Sequence, residues 1–175
     1  MRLFIAIDFN GLKEYFDELN NKIDDSLARM KKTNDFHLTL KFLGEISDDK
    51  IKLIKDRLSK INFDKFTLVL DKIGVFPNEN HINVIWVGVK PDIKLKDLQT
   101  KIEESLKEFN FKKEFEFHPH ITLARVKFIN DKDKFVSNLN EIKVGNKRLV
   151  VENFRLVKSE LRPNGPVYED IYIFQ

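Results

Sequence analysis

Two short stretches of the chain carry the same order of residue types: histidine, an apolar residue, threonine and a second apolar residue. The first stretch begins at His37 and the second at His120. Successive side chains of a β-strand point to opposite faces, so the histidine and threonine of each stretch lie on one face and the apolar residues on the other. Each stretch therefore presents an imidazole beside a hydroxyl group. We interpret the two pairs as one active site made of His37, Thr39, His120 and Thr122.

Two histidines that face one point can act as a general acid and a general base, because imidazole titrates near neutral pH. Each of these roles typically contributes about 10²- to 10⁴-fold in rate. Threonine hydroxyls aimed at the same point can donate hydrogen bonds to the non-bridging oxygens of a phosphoryl group. Hydrolysis of a phosphodiester requires this set of groups. A cyclic phosphodiester suits it well, because ring strain lowers the barrier and makes a metal dispensable.

The composition excludes several other kinds of site. The 175 residues include no cysteine, which rules out disulfides, thiolate nucleophiles and cysteine-ligated zinc. The 31 basic and 28 acidic residues nearly cancel, and the net charge of +3 permits nucleic acid as a partner without requiring it. The apolar N-terminal stretch 3–7 is too short for a signal peptide or a membrane span. We therefore expect a cytoplasmic protein that does not contact membranes.

The hydrophobic pattern predicts one order of elements twice: strand, helix, histidine–threonine strand, helix and a further strand. The elements predicted for the first half are a strand over 3–8, a helix over 12–30, a strand over 36–43, a helix over 47–61 and a strand over 66–76. Those predicted for the second half are a strand over 82–89, helices over 91–109 and 131–141, and strands over 117–126, 147–159 and 167–174. The pattern predicts an α+β or α/β fold with two similar lobes, in which the two motif strands lie side by side or face each other across a cleft.

The two His-x-Thr-x stretches resemble the motifs of the two-histidine phosphoesterases. The opening Arg2-Leu3-Phe4-Ile5-Ala6-Ile7, the extensions Lys41-Phe42-Leu43-Gly44-Glu45 and Ala124-Arg125, and the late Ser159-Glu160-Leu161 are similar to that family too. Together they most resemble the branch of RNA 2′,3′-cyclic phosphodiesterases, long called 2′-5′ RNA ligases. The resemblance covers essentially the whole chain, in order.

The resemblance implies a bilobal α+β fold, with duplicated β-α-β-α-β units related by a pseudo-twofold axis and two antiparallel-rich sheets facing a central cleft. We expect a single domain over 1–175, with lobes of roughly 1–80 and 81–175 that can exchange terminal strands. The implied reaction converts RNA 2′,3′-cyclic phosphate ends to 2′-phosphomonoesters without a metal or other cofactor. Some members of the family join or cleave 2′-5′ linked RNA ends. We expect a monomer that acts on RNA ends, with tRNA as one candidate substrate.

Carried over by motif, His37 is the proton donor to the departing O3′ and His120 is the proton acceptor from water. Thr39 and Thr122 contact the phosphate, and the family motif adds Arg125. The near symmetry of the motifs leaves the order of acid and base open. Strict alternation places Arg125 on the face opposite to His120, so only a bulge or a strand end brings it to the phosphate.

Other interpretations use the same residues. A non-catalytic module that binds RNA ends would keep the phosphate donors, although binding alone does not need two titrating rings. A phosphodiesterase that acts on a small cyclic nucleotide would share the chemistry. His118 and His120 could also be taken for metal ligands, but Pro119 lies between them and no third ligand completes the pattern. Lys41 shares a strand face with His37 under strict alternation, and we expect it to be solvated.

Overall fold

A computed structural model describes residues 1–112, 116–163 and 165–175. Within these residues the chain forms nine β-strands and four α-helices. The strands are β1 (Arg2–Asp8), β2 (Ala28–Lys32), β3 (His37–Glu45), β4 (Phe66–Asn78), β5 (His81–Val89), β6 (His120–Ile129), β7 (Arg148–Val151), β8 (Phe154–Arg162) and β9 (Gly165–Phe174). The helices are α1 (Lys13–Lys22), α2 (Asp48–Leu58), α3 (Ile93–Ser105) and α4 (Lys132–Glu141). No helix in this part of the chain is both long and apolar enough to cross a membrane.

The strands are hydrogen-bonded in the order β7-β4-β5-β6-β3-β1-β8-β9, and β2 pairs with β6 outside this path. Strands β3 and β6, which carry the two motifs, lie side by side and pair antiparallel through Leu38 and Ile121. Leu38 and Ile121 are the one residue pair in the β3–β6 register. The two sheets expected from the duplication are therefore joined edge to edge, at the motif strands, by this short pairing. The predicted α+β class with a duplicated architecture is confirmed.

The apolar residues of both motifs belong to the hydrophobic core. Leu38, Leu40, Ile121 and Leu123 are each at most 2% exposed. Full burial of one such side chain contributes roughly 1.5–3 kcal/mol relative to an exposed one. A one-residue slip of either strand would expose these residues and bury the histidines, so the core fixes the face on which the histidines lie.

The helix predicted over 12–30 is wrong in its second half. Helix α1 ends at Lys22, and the Asp24 carboxylate accepts hydrogen bonds from the backbone N–H of Ser26 at 2.8 Å and from its hydroxyl at 2.6 Å. Such local side-chain bonds favour a turn over a continuing helix. The chain then enters β2 and pairs antiparallel with β6.

The strand predicted over 147–159 is interrupted at residues 152 and 153. Strand β7 pairs with β4, whereas β8 pairs with β1 on the other side of the motif strands. One straight strand cannot reach both of these partners, so the chain leaves the ladder between them. The C-terminal hairpin of β8 and β9 therefore lies beside β1, one strand away from β3.

Candidate active site

Strand β3 contains a β-bulge at the last residue of the first motif. Ala6 is paired with Thr39 and Ile5 with Lys41, so Leu40 is an extra residue in the ladder. Leu40 and Lys41 are consequently both buried, at 2% and 5% exposure, while Phe42 is 54% exposed. The bulge returns Phe42 to the face of His37.

The expectation that Lys41 is solvated on the face of His37 is therefore wrong. The bulge turns its side chain to the opposite face, against α3. Its Nζ lies 2.8 Å from Oε1 and 2.7 Å from Oε2 of Glu103. The Lys41 side chain is 4% exposed and that of Glu103 is 29% exposed. This ion pair anchors α3 to the back of the motif strand.

Strand β6 contains the equivalent bulge. Thr122 is paired with Trp86 and Ala124 with Ile85, so Leu123 is the extra residue. Leu123 and Ala124 are both fully buried. Arg125 then emerges toward the site instead of pointing away from it. The bulge that the family motif would need at this position is present.

A cavity of about 450 Å³ opens between the two motif strands and the β8–β9 hairpin. The five residues predicted from sequence all line it: His37, Thr39, His120, Thr122 and Arg125. Other lining residues include Arg2, Phe4, Phe42, Ser159, Pro166 and Tyr168. Within the described residues the hydroxyls of Thr39 and Thr122 have no hydrogen-bond partner, so both are available to a ligand.

His37 is held by a carboxylate and two aromatic rings. Its Nδ1 lies 3.0 Å from Oδ1 of Asp35. The ring centroids of Phe4 and Tyr168 are each 5.0 Å from that of His37. Because an ionised carboxylate only accepts hydrogen bonds, Nδ1 is the donor in this contact and Nε2 is left for a substrate. Burial raises the pKa of Tyr168, with Arg125 and Arg2 acting in the opposite direction and Asp35 in the same one.

His120 is held by a backbone carbonyl and an aromatic group. Its Nδ1 lies 2.7 Å from the carbonyl oxygen of His118, which can only accept, so Nδ1 carries the hydrogen and Nε2 is again free. The Phe76 ring meets it edge-on at 4.9 Å, and the Trp86 ring lies 6.1 Å away.

Burial lowers the pKa of His120 from its ordinary value. The hydrogen bond to the His118 carbonyl acts in the opposite direction, while the positive charges of His118, His37 and Arg125 lower the pKa further. A lowered pKa keeps the ring neutral, with its Nε2 lone pair free, over a wider range of pH.

Sequence reasoning did not assign four residues that contact the histidines: Asp35, Phe76, Trp86 and Tyr168. Phe76 and Tyr168 are aromatic candidates that the sequence does not separate from core residues. Asp35 could have been found, because it stands two positions before His37 and can bond that ring locally. The aromatic residues could not, since only the register of β4, β5 and β9 brings them to the site. Among the described residues no group of three or more histidine, aspartate or glutamate side chains could hold a metal ion, His118 and His120 included.

Comparison with known proteins supports a common origin for this site. The sequence model of the family described as LigT like Phosphoesterase matches the chain twice, over residues 8–86 and 87–168. The RNA 2′,3′-cyclic phosphodiesterase of Methanocaldococcus jannaschii is 36% identical over 173 residues, which cover 98% of each chain. That of Archaeoglobus fulgidus is 32% identical, with 100% of both chains covered. The crystal structure of Escherichia coli LigT complexed with 3′-AMP has a TM-score of 0.78 at 26% identity, covering 99% of this chain and 96% of that one.

Proposed function

The chain belongs to the LigT-like phosphoesterase family, and from this premise we propose that it hydrolyses RNA 2′,3′-cyclic phosphate ends to 2′-phosphomonoesters. The resemblance to the two-histidine phosphoesterases that the motifs predict is confirmed by the double family match. The curated relatives that support the reaction carry the name RNA 2′,3′-cyclic phosphodiesterase and align over nearly their full length. The single observation that carries the proposal is the opposite surroundings of two histidines at one cavity.

The surroundings favour His37 as the proton donor and His120 as the proton acceptor. A donor ring carries a positive charge before the transfer, and the carboxylate of Asp35, 3.0 Å from Nδ1, is a favourable neighbour for that charge. An acceptor ring must be neutral, and burial among aromatic groups lowers the pKa of His120. Different surroundings of two titratable groups are the usual basis for assigning the acid and the base.

The proposed step conserves protons and breaks one bond. Nε2 of His120 takes a proton from the attacking water, whose oxygen forms the new bond to phosphorus. The bond from phosphorus to O3′ breaks, and Nε2 of His37 gives its proton to the departing O3′. The hydroxyls of Thr39 and Thr122 donate to the non-bridging oxygens, and the guanidinium of Arg125 compensates their charge. Proton exchange with solvent returns both rings to their starting states.

This chemistry uses side chains alone, so we infer that turnover does not need a divalent metal. The same residues can run the step with the 5′-hydroxyl of a second RNA in place of water as the nucleophile, so that the bond from phosphorus to O3′ breaks and a 2′-5′ linkage forms. We further propose that the protein acts as a monomer, because all the groups named in the step come from one chain. A tRNA-derived end is one candidate substrate.

The test is incubation of the purified protein, with EDTA, with a short RNA that ends in a 2′,3′-cyclic phosphate. We expect conversion to a 2′-phosphate, identified by mass and by sensitivity to phosphatase. His37→Ala and His120→Ala should each lower kcat by at least about 10²-fold, because each removes one proton-transfer group. His81→Ala is the matched control, since His81 is an exposed histidine at the start of β5. This variant should keep full activity.

Full activity in either motif variant would contradict the proposed roles. Conversion of a cyclic mononucleotide without conversion of the RNA would indicate that the substrate is a small cyclic nucleotide. Tight, salt-sensitive binding of the RNA without any turnover would instead support a non-catalytic module for RNA ends.

A further inference from the structure

Strand β6 pairs with β5 as far as Arg125, and from Val126 onward it pairs with β2 alone, so that β2 and β6 form a two-stranded ribbon that extends beyond the active site. In its register Lys31 is opposite Arg125 and Arg29 is opposite Phe128. A register shift between these two pairs leaves Lys127 as an extra residue in β6, so Arg125 and Phe128 lie on one face although they are three positions apart. We call this surface, made of Arg29, Lys31, Arg125 and Phe128, the ribbon face.

The ribbon face is continuous with the active site through Arg125. This residue lines the main cavity with the two motifs, and it also lines a side cavity of about 260 Å³. The side cavity contains Lys31 and Lys32 from β2, and it shares His37 and Thr122 with the main cavity. A polymer whose end occupies the main cavity can therefore continue along the ribbon.

The ribbon face combines positive charge with an exposed aromatic ring, since Lys31 is opposite Arg125 and Arg29 is opposite Phe128. Among the described residues, neither Arg29 nor Arg125 has a carboxylate within ion-pair distance. Phe128 is 63% exposed beside Arg29. A ligand that carries both negative charges and flat aromatic groups would pair with the two arginines and cover the ring.

Single-stranded RNA has both properties, with a phosphate at every nucleotide and a base that can stack on an aromatic side chain. We propose that the ribbon face binds the nucleotides that precede the terminal cyclic phosphate, with a phosphate between Lys31 and Arg125 and a base on Phe128. This inference rests on the proposed function, because it assumes that the RNA end occupies the main cavity. It predicts that an oligonucleotide is a better substrate than a mononucleotide with the same end.

The test compares kcat/KM for a 2′,3′-cyclic mononucleotide with kcat/KM for a tetranucleotide that ends in the same group. We expect the wild-type protein to prefer the tetranucleotide. Phe128→Ala should lower the ratio of the two values at least about fivefold, the low end of the effect of losing one stacked base. Lys31→Gln should lower the ratio too, and should make the dependence of log kcat/KM on log salt shallower by about 0.7 for the tetranucleotide.

Helix α2, which is not part of the ribbon, supplies matched controls. Lys52→Gln removes the same charge as Lys31→Gln, and Leu53→Ala removes an apolar side chain that is 45% exposed. Both controls should leave the ratio unchanged. Equal turnover of the two substrates by the wild-type protein would overturn the proposal. A fall in the ratio that the controls reproduce would overturn it as well.

A direct binding measurement separates this inference from the proposed function. The probe is a fluorescent tetranucleotide that ends in a 2′-phosphate, followed by anisotropy at several salt concentrations. Salt-sensitive binding that Phe128→Ala weakens supports the ribbon face even if the wild-type protein turns over neither substrate, and in that case only the proposed function fails. Absence of binding, or binding that Phe128→Ala and Leu53→Ala weaken equally, overturns the ribbon proposal even if the mononucleotide is hydrolysed.

Discussion

Replacement of Gly74 by alanine should change the pH dependence of catalysis without touching either histidine. Gly74 on β4 is directly opposite Trp86 on β5. A Cβ atom at Gly74 would overlap Cζ2 and Cη2 of the indole, so the ring must move. The ring packs against Phe76 and His118, with centroid distances of 5.0 and 4.9 Å, and it helps to keep water from His120.

The expected loss of stability is about 1–3 kcal/mol, the usual cost of forcing extra atoms into a packed site. For a chain of this length each kcal/mol corresponds to a fall in Tm of about 2–4 °C. The variant should therefore remain folded at assay temperature if the wild-type protein has ordinary stability.

The direction of the pH effect follows from the role of His120. Protonation of this ring removes the base, so kcat/KM falls as the pH drops through its pKa. Burial lowers that pKa in the wild-type protein, and the charges of His118, His37 and Arg125 lower it further. Displacing the indole admits water and relieves the effect of burial, which raises the pKa. The acidic limb of the profile should then move to higher pH.

The assay is kcat/KM for the cyclic-phosphate substrate from pH 5 to pH 9, in parallel with intrinsic fluorescence. The chain has one tryptophan, so a red shift of the emission reports displacement of Trp86 alone. Gly11→Ala is the control, because a Cβ there would meet only Leu149 Cδ1 at 4.0 Å. A red-shifted emission with an unmoved acidic limb would refute the idea that the aromatic surroundings set the pKa of His120.

Two further predictions concern the acidic residues that contact Lys41 and His37. Glu103→Ala leaves the ammonium of Lys41 buried without a partner, and should lower the free energy of unfolding in urea by about 3 kcal/mol. Lys41→Met leaves a carboxylate that is partly hydrated, so its cost should be smaller by at least about 2 kcal/mol. Equal costs would mean that burial of the ammonium is not the dominant effect. Asp35→Asn keeps an acceptor for His37 but removes its charge, and should lower kcat about tenfold, since a charge-assisted bond is about twice as strong as a neutral one. Asp133→Asn on α4 is the control, and an unchanged kcat in both variants would exclude a positioning role for Asp35.

The sequence was sufficient where a periodic pattern and a local bond agree. The helix predicted from Pro91 onward begins at Ile93, and the Asp92 carboxylate before it accepts from the N–H of Leu95 at 2.9 Å. Helix α4 begins in the same way, with Asp131 accepting from the N–H of Lys134. In both cases the capping side chain is three residues from its donor, so the evidence for the helix start lies within one short window of sequence.

Strand β2 could not be identified by the same reasoning, because two patterns overlap there. Leu27 and Met30 extend the apolar spacing of α1, which favoured one long helix, while Ala28, Met30 and Lys32 alternate with Arg29 and Lys31 as a strand requires. The choice depends on a distant partner, since β2 is stabilised by the ladder to β6 about a hundred residues later. The local bonds between Asp24 and Ser26, just after Lys22, are the feature of this stretch that favours an early end of the helix.

Strict alternation predicts the correct strand face for the histidines and threonines and the wrong face for Lys41 and Arg125. The two bulges explain this difference. After Thr122 the chain has Leu123 and Ala124, two consecutive apolar residues, which is how a buried bulge reads in sequence. After Thr39 the equivalent pair is Leu40 and Lys41, and the lysine conceals the same bulge because its charge is balanced by a glutamate 62 residues away. Comparison of the two halves therefore predicts more than either half alone. Ala124 is apolar at the position equivalent to Lys41, which indicates that the lysine is buried.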